Sequence, residues 1–191
     1  VPSLLDFPGQ AGHKRDKELL AHVGVELSKA DCWVTYNGIN YDVPFLQTRL
    51  LKFGLPPLPP IPHIDLYYLV KHKLRLHNSR LATVTEFYNL DHNKTDIDFD
   101  AWMDATMGCA GAMRKVVEHC KLDVLVLRDA YLRLRSLFVR HPRLHGYGPC
   151  QVCGSLDLEK RGYAATKLRG IRQRIYCRKC GAWENRSLNK Q

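Results

Sequence analysis

Four cysteines fall in two pairs, Cys150-Gln-Val-Cys153-Gly154 and Cys177-Arg-Lys-Cys180-Gly181, with 23 residues between the pairs. Two thiolates three positions apart on a tight turn can face one ion. The glycine after each pair lets the chain fold back so that amides approach the sulfurs. Two such turns complete a tetrahedral four-sulfur site, the pattern of one structural Zn²⁺; a redox dithiol pair is the alternative. A closed site of this kind has no open position for a substrate, so it is structural rather than catalytic. Cys32, Cys109 and Cys120 sit apart, beside apolar residues. An odd cysteine count without a secretory signal points to a reducing compartment with free core thiols.

The second chemical signal is acidic. Asp42 lies where an apolar, β-branched run (Cys32–Tyr36) gives way to a helical one, and Asp123 adjoins an apolar stripe with His119 one helical turn before it. An ionised acid near a buried seam is costly unless it is paired or binds a metal. For Asp42, helix capping is the competing reading. Asp65 follows a short strand and reads as the cap of the next helix ahead of a metal ligand. Asp96-x-Asp98-x-Asp100 is not a calcium loop, because Ala101 and Met107 stand where glycine and glutamate are needed.

The elements that must position these groups are legible in outline. Residues 1–5 read as the end of a strand. Lys17–Ser28 reads as a helix with Leu19, Leu20, Val23 and Leu27 on one side, capped by Asp16. Cys32–Tyr36 reads as a buried strand and Val43–Phe53 as a helix, with Pro44 in its first turn and Gly54 as its stop. The prolines of 55–62 enforce an extended connector. His63–Leu66 is a short strand, with helices around Tyr67–Lys73 and Arg80–Tyr88. A final helix over Ala110–Val139 carries the stripe Met113, Val117, Cys120, Val124, Leu127, Tyr131, Leu134 and Phe138. Pro142 and the glycines at 146 and 148 mark a boundary. Beyond it, Leu156–Arg161 and Arg172–Tyr176 read as strands of a small ribbon.

The chain has 191 residues and a net charge of +10. Residues 141–191 hold 11 Lys/Arg and only 3 Asp/Glu, whereas the preceding body is nearly neutral. A compact basic appendage suits a polyanion, most often nucleic acid. Arg161, Lys167, Arg169, Arg172 and Arg174 are the candidate contacts, interleaved with Tyr163, Tyr176 and Trp183. These rings either stack on bases or fill the ribbon's own core. No apolar run approaches the ~20 residues of a membrane span.

At the acidic segments the chain resembles a known family. Asn37-Gly-Ile-Asn-Tyr41-Asp42-Val43-Pro44-Phe45-Leu46 is similar to the second motif of the DEDD-type, RNase H-like 3′–5′ exonucleases, the DnaQ-like group. His119-Cys120-Lys-Leu-Asp123-Val124 is similar to their third motif, usually Tyr-Cys-x-x-Asp. His63-Ile64-Asp65-Leu66 and Lys94-Thr95 also resemble family landmarks, although Lys94 by itself reads as solvated rather than phosphate-facing. The resemblance covers roughly residues 1–140, and a zinc ribbon after such a domain resembles phage-type relatives.

The resemblance implies a two-metal nuclease, in which four carboxylates hold two Mg²⁺ or Mn²⁺ ions, Asp42 and Asp123 being two of the four. His119 takes the place of a water-orienting tyrosine; it would orient water, act as a general base, or serve only as a helix residue. Asn37 is carried over as a nucleic-acid contact. The family's first motif is Asp-x-Glu at a strand end. Its one literal match, Asp16-Lys17-Glu18, opens a helix instead. The first strand or strands are therefore expected ahead of Val1.

The expected architecture is α/β. A partial RNase H-like domain (a mixed sheet flanked by helices) spans 1–141, a linker spans 142–148, and a β zinc ribbon spans 149–191. The expected function is metal-dependent 3′–5′ hydrolysis of nucleic acid, with a single-stranded 3′ end as substrate. The expected setting is the cytoplasm, that of the host for a viral protein, with no membrane partner. The alternatives are a non-catalytic nucleic-acid-binding or adaptor protein of the same fold, and a ribbon-bearing transposase-like nuclease.

Overall fold

The computed structural model describes residues 2–7, 16–92, 96–138, 140–166 and 170–188. Lys94, Thr95, Lys167 and Arg169 lie outside the described residues. The chain divides into two compact units, Val1–Tyr131 and Leu132–Gln191. The division falls inside the last turn of the long helix, ahead of the 142–148 segment.

The first unit opens on a 3-10 helix, Leu4–Asp6, not on a strand end. The cause is local. The Ser3 hydroxyl accepts from the Leu5 amide, and the Asp6 carboxylate accepts from the Ser3 amide at 2.7 Å, a capping box that closes the turn. Helix α1 spans Lys17–Ser28. Asp16 precedes it but makes no side-chain cap. Its carboxylate is taken instead by both arms of the Arg49 guanidinium, with Nε at 3.1 Å. A two-pronged charge-assisted bond outcompetes a single amide for one carboxylate.

Strand β1 (Trp33–Thr35), helix α2 (Asp42–Lys52) and strand β2 (His63–Asp65) form a strand–helix–strand crossover. The strands pair in parallel, Val34 opposite Ile64 and Thr35 opposite Asp65. Strand β1 is half-buried, where its apolar run predicts full burial. Among the described residues of this unit the sheet is this parallel pair, so the expected mixed sheet is represented by its parallel part. Gly54 adopts φ +64° just after α2, a left-handed conformation that ends the helix without a Cβ penalty.

Helices α3 (Leu66–Lys73) and α4 (Leu81–Tyr88) follow, and then α5 (Phe99–Thr106), which the sequence analysis does not find. Helix α5 is short; its apolar residues Phe99, Trp102 and Met103 stay exposed, and the small Ala105 is the one it buries. Its clear signal is the cap, Asp98 Oδ1 accepting from the Ala101 amide at 2.6 Å.

Helix α6 spans Ala110–Leu134 and closes with a 3-10 turn, Arg135–Leu137, short of the expected Val139. Its buried line is Ala112, Val116, Val126, Ala130 and Leu134, and Val124 is exposed. The expected stripe is thus rotated. Most of the buried line is small, Ala112, Val116, Val126 and Ala130, so it is not the line that the larger apolar side chains mark out. Ala105, Ala112 and Val116 form one cluster with Ile97, Met113 and Cys120 against it. Cys109 is exposed rather than a core thiol, while Cys32 and Cys120 are half-buried.

The second unit is built on an antiparallel sheet of β3 (Leu158–Thr166), β4 (Gly170–Cys177) and β5 (Trp183–Ser187), in that order. The first two strands are longer than expected and the third is unforeseen. Strand β3 carries an irregularity between Lys160 and Tyr163, where Gly162 takes φ +68°. Strand β5 hides Glu184, which is ion-paired to Arg186 and lies 3.4 Å from Arg143. Arg186 also donates to the carbonyls of Gly148 and Pro149, each at 2.8 Å, pinning the entry to the first cysteine pair onto β5. Among the described residues no helix is long and apolar enough to cross a membrane.

Candidate functional site

Parallel strands open their carboxyl ends to a ligand, because the crossover helix leaves the strand tip free. Here that end is built by one buried acid. Asp65 ends β2 and caps α3, accepting from the Tyr67 amide at 3.0 Å. The same carboxylate accepts from the amides of Asn37 at 2.7 Å and Ile39 at 3.0 Å. Three amides therefore hold a side chain that is only 6% exposed. The capping reading of Asp65 is met, and the two extra bonds fix the turn between β1 and α2.

That turn is tight. Asn37 takes φ +65°, and its side-chain oxygen accepts from Asn40 Nδ2 at 2.7 Å. A Cβ on Gly38 would come within 2.6 Å of the Thr35 Cβ, so only glycine fits. The Val43 amide then donates to the Gly38 carbonyl at 2.9 Å, which sets Asp42 as the first residue of α2. Asp65→Ala should therefore lower stability by about 3 kcal/mol, because buried amides lose their acceptor. Chemical denaturation checks this, with Asp65→Asn losing less because one oxygen still accepts; an unchanged midpoint would show that the turn does not depend on the carboxylate.

Above the turn lies a cleft of about 780 Å³ whose walls include Tyr36, Asn37, Asp42, Arg80, Asp96 and Asp123. Asp42 and Asp123 thus reach the same cleft from α2 and α6. Asp123 Oδ1 is buried without a hydrogen-bond partner, and its Oδ2 lies 3.4 Å from His119 Nε2. His119 sits edge-on to Trp102, with ring centroids 6.3 Å apart. Its side chain is 12% exposed, and it holds Asp123 from behind rather than lining the cleft. An orphaned carboxylate oxygen beside further acids fits a hard divalent cation, which takes oxygen ligands. The carboxylates line the cleft without closing up: among the described residues the only set of three or more ligating side chains within 4.8 Å is the cysteine set.

Tyr36 does not compete for that cation. Burial, with Asp65 and Tyr67 nearby, pushes its phenol up, so it stays protonated and donates to the Ser79 carbonyl at 2.6 Å. Asp96 and Arg80 are cleft residues that the sequence analysis does not assign. Asp96 is visible there only as part of a rejected calcium pattern, and no spacing links Arg80 to Asp42; only the chain's path brings them together.

In the second unit the thiols of Cys150, Cys153, Cys177 and Cys180 lie within 4.8 Å of one another. Cys150 and Cys180 sulfurs are 3.7 Å apart, as are those of Cys153 and Cys177. A disulfide would need about 2.05 Å, whereas the edge of a tetrahedron of sulfurs around zinc is about 3.8 Å. Both turns are built alike. Gly154 donates to the Cys150 carbonyl and Gly181 to the Cys177 carbonyl, each at 2.9 Å, and both glycines take φ +73°. Burial pushes the Cys150 thiol up. For Cys153 burial is outweighed by the Ser155 amide and the neighbouring thiols, which draw it down. Of the basic residues, Arg161 is paired to Glu159 at 2.6 Å, while Arg172 and Arg174 lie on β4.

A family model described as the RNase_H superfamily matches residues 9–134. The chain belongs to the RNase H superfamily. A stretch of 71 residues is also 37% identical to the DNA polymerase III PolC-type of Ureaplasma parvum serovar 3. It covers 36% of this chain and 5% of that protein, so the chain spans a small fraction of this curated relative. The superfamily match takes in β1, α2, β2 and all of α6, and with them Asp42 and Asp123. The four-cysteine unit lies beyond it.

Proposed function

We propose that this RNase H superfamily chain is a DEDD-type 3′–5′ exonuclease domain that hydrolyses nucleic acid with two Mg²⁺ or Mn²⁺ ions, followed by a zinc ribbon. One observation carries the reading. Asp42 and Asp123 are far apart in sequence yet line one cleft at the strand ends, and an Asp123 oxygen is buried with no partner. Two divalent ions would supply an activated water and neutralise charge at the leaving oxygen. Asp42 and Asp123 are two of their four carboxylate ligands. His119 acts through Asp123, fixing the carboxylate that it touches. Asn37 and Arg80, at the cleft wall, meet the strand's phosphates. The four cysteines hold one structural Zn²⁺, supported by the sulfur spacing.

The test is product analysis on a 5′-labelled single-stranded oligonucleotide with the natural full-length protein and Mn²⁺. The expected result is a ladder shortening by one nucleotide at a time from the 3′ end. Internal cuts would overturn the exonuclease reading. Binding without any shortening would favour a non-catalytic nucleic-acid-binding protein. The observation on that side is that, among the described residues, no three of the cleft acids come within 4.8 Å of one another.

A further inference from the structure

Strand β4 sorts its side chains by alternation. Ile175 and Cys177, 5% and 1% exposed, face the core with Val152, Ala182 and Leu158. Arg172, Arg174 and Tyr176 therefore share the opposite face. The register sets Trp183 of β5 against Tyr176, and their ring centroids lie 5.0 Å apart. Trp183 is 43% exposed. These rings are not the module's interior; they form its outer surface.

Cations accompany the rings. Arg174 lies over Trp183 at 4.9 Å, and Arg161 over Tyr176 at 5.8 Å. Arg161 is also committed to Glu159. Arg172 and Arg174 make no carboxylate pair among the described residues, and Arg172 Nε is a buried donor with no partner there. Such groups keep their capacity for phosphate.

We propose that this outer face of the sheet is a stacking platform for an unpaired nucleic-acid strand, with Trp183 as the base-stacking ring and Arg172 and Arg174 as the phosphate contacts. The proposal rests on the reading of a nucleic-acid substrate and not on hydrolysis. Charge selects the partner's sign, since residues 141–191 hold 11 Lys/Arg against 3 Asp/Glu. The rings select its kind. An acidic peptide satisfies the arginines but offers nothing flat to Trp183, and a duplex has its bases already stacked. An unpaired strand offers both, and stacking tolerates any base. The guanidinium on an exposed ring is a weak contact that a base can extend or displace.

The test is fluorescence anisotropy with labelled oligothymidylate of about 15 nucleotides and the full, zinc-loaded chain, with no Mg²⁺ or Mn²⁺ added. Trp183→Ala should weaken binding about tenfold or more. Trp183→Phe should retain most of it, and Arg174→Ala should lose severalfold. Zinc content of each variant reports whether the unit is folded, and Arg174→Ala carries the test if Trp183→Ala is not. Wild-type affinity in both zinc-loaded Trp183→Ala and Arg174→Ala would overturn the platform. So would equal affinity for a duplex of the same length, or equally effective competition by polyglutamate. A protein that binds as expected but never shortens the strand upholds the platform and overturns the exonuclease reading. One that shortens the strand while both variants bind normally does the reverse.

Discussion

Asp123→Asn is expected to lower the rate of mononucleotide release by at least about a thousandfold. The substitution keeps the shape of the side chain and removes its charge, so it tests ligation rather than packing. Asp42→Asn should do the same, and the double variant should be little worse than either, because ligands of one centre act as a unit. Stability should move the other way. Asp123 Oδ1 is buried with no hydrogen bond although the side chain as a whole is 35% exposed, and an unpartnered carboxylate oxygen is a cost that a bound cation removes. Without divalent ions, Asp123→Asn should therefore match or exceed the wild-type midpoint of thermal unfolding, and added Mn²⁺ should stabilise only the wild type. Turnover retained in both single variants would remove the two-ion assignment.

The second large effect belongs to the cysteines. Cys177→Ser, or a strong chelator, should unfold the C-terminal sheet and leave the N-terminal unit in place. Zinc held by such a site contributes on the order of 10–16 kcal/mol of binding free energy, which is also folding free energy. The sheet's own apolar core is small: Cys150, Val152, Cys177 and Ala182, with Leu158 packed against them and Ile175 of β4 buried as well. Two of the five buried side chains are cysteines of the four-thiol set. Metal analysis together with amide exchange on Leu158–Thr166 and Gly170–Cys177 reads the outcome. A metal-free protein with that sheet still protected would contradict the zinc assignment.

What could be read in the chain follows from where the information lies. Helices α1 and α2 are legible because their apolar spacing, and for α2 the stop at Gly54, are local, whereas the expected cap of α1 by Asp16 is lost to Arg49. The cysteine turns are legible because bringing four thiols together on two tight turns dictates both spacing and glycine. The face of α6 was misjudged by one position. Its buried residues are Ala112, Val116, Val126, Ala130 and Leu134, while Val124, of the same type as two of them, is left outside, and residue type does not tell these positions apart. Helix α5 is only eight residues long, and its length more than its apolar spacing keeps it from standing out in the sequence. In the site, Asp42 and Asp123 carried motif context, but Arg80 and Asp96 reach the cleft only through tertiary structure. The i, i+4 spacing puts His119 beside Asp123 on the helix, while its position behind that carboxylate, edge-on to Trp102, is set by tertiary packing.

The division of labour between Asp65 and its neighbours bears on how such a protein could change over generations. The residue that shapes the active end is not one that would touch substrate: it spends its oxygens on three amides beneath the surface. Drift could erase Asp42 or Asp123 and leave the scaffold standing, whereas erasing Asp65 would dismantle the turn that presents Asp42. Silent descendants of this lineage, those that grip a strand but never cut it, should thus betray their ancestry by an acid retained at that buried position.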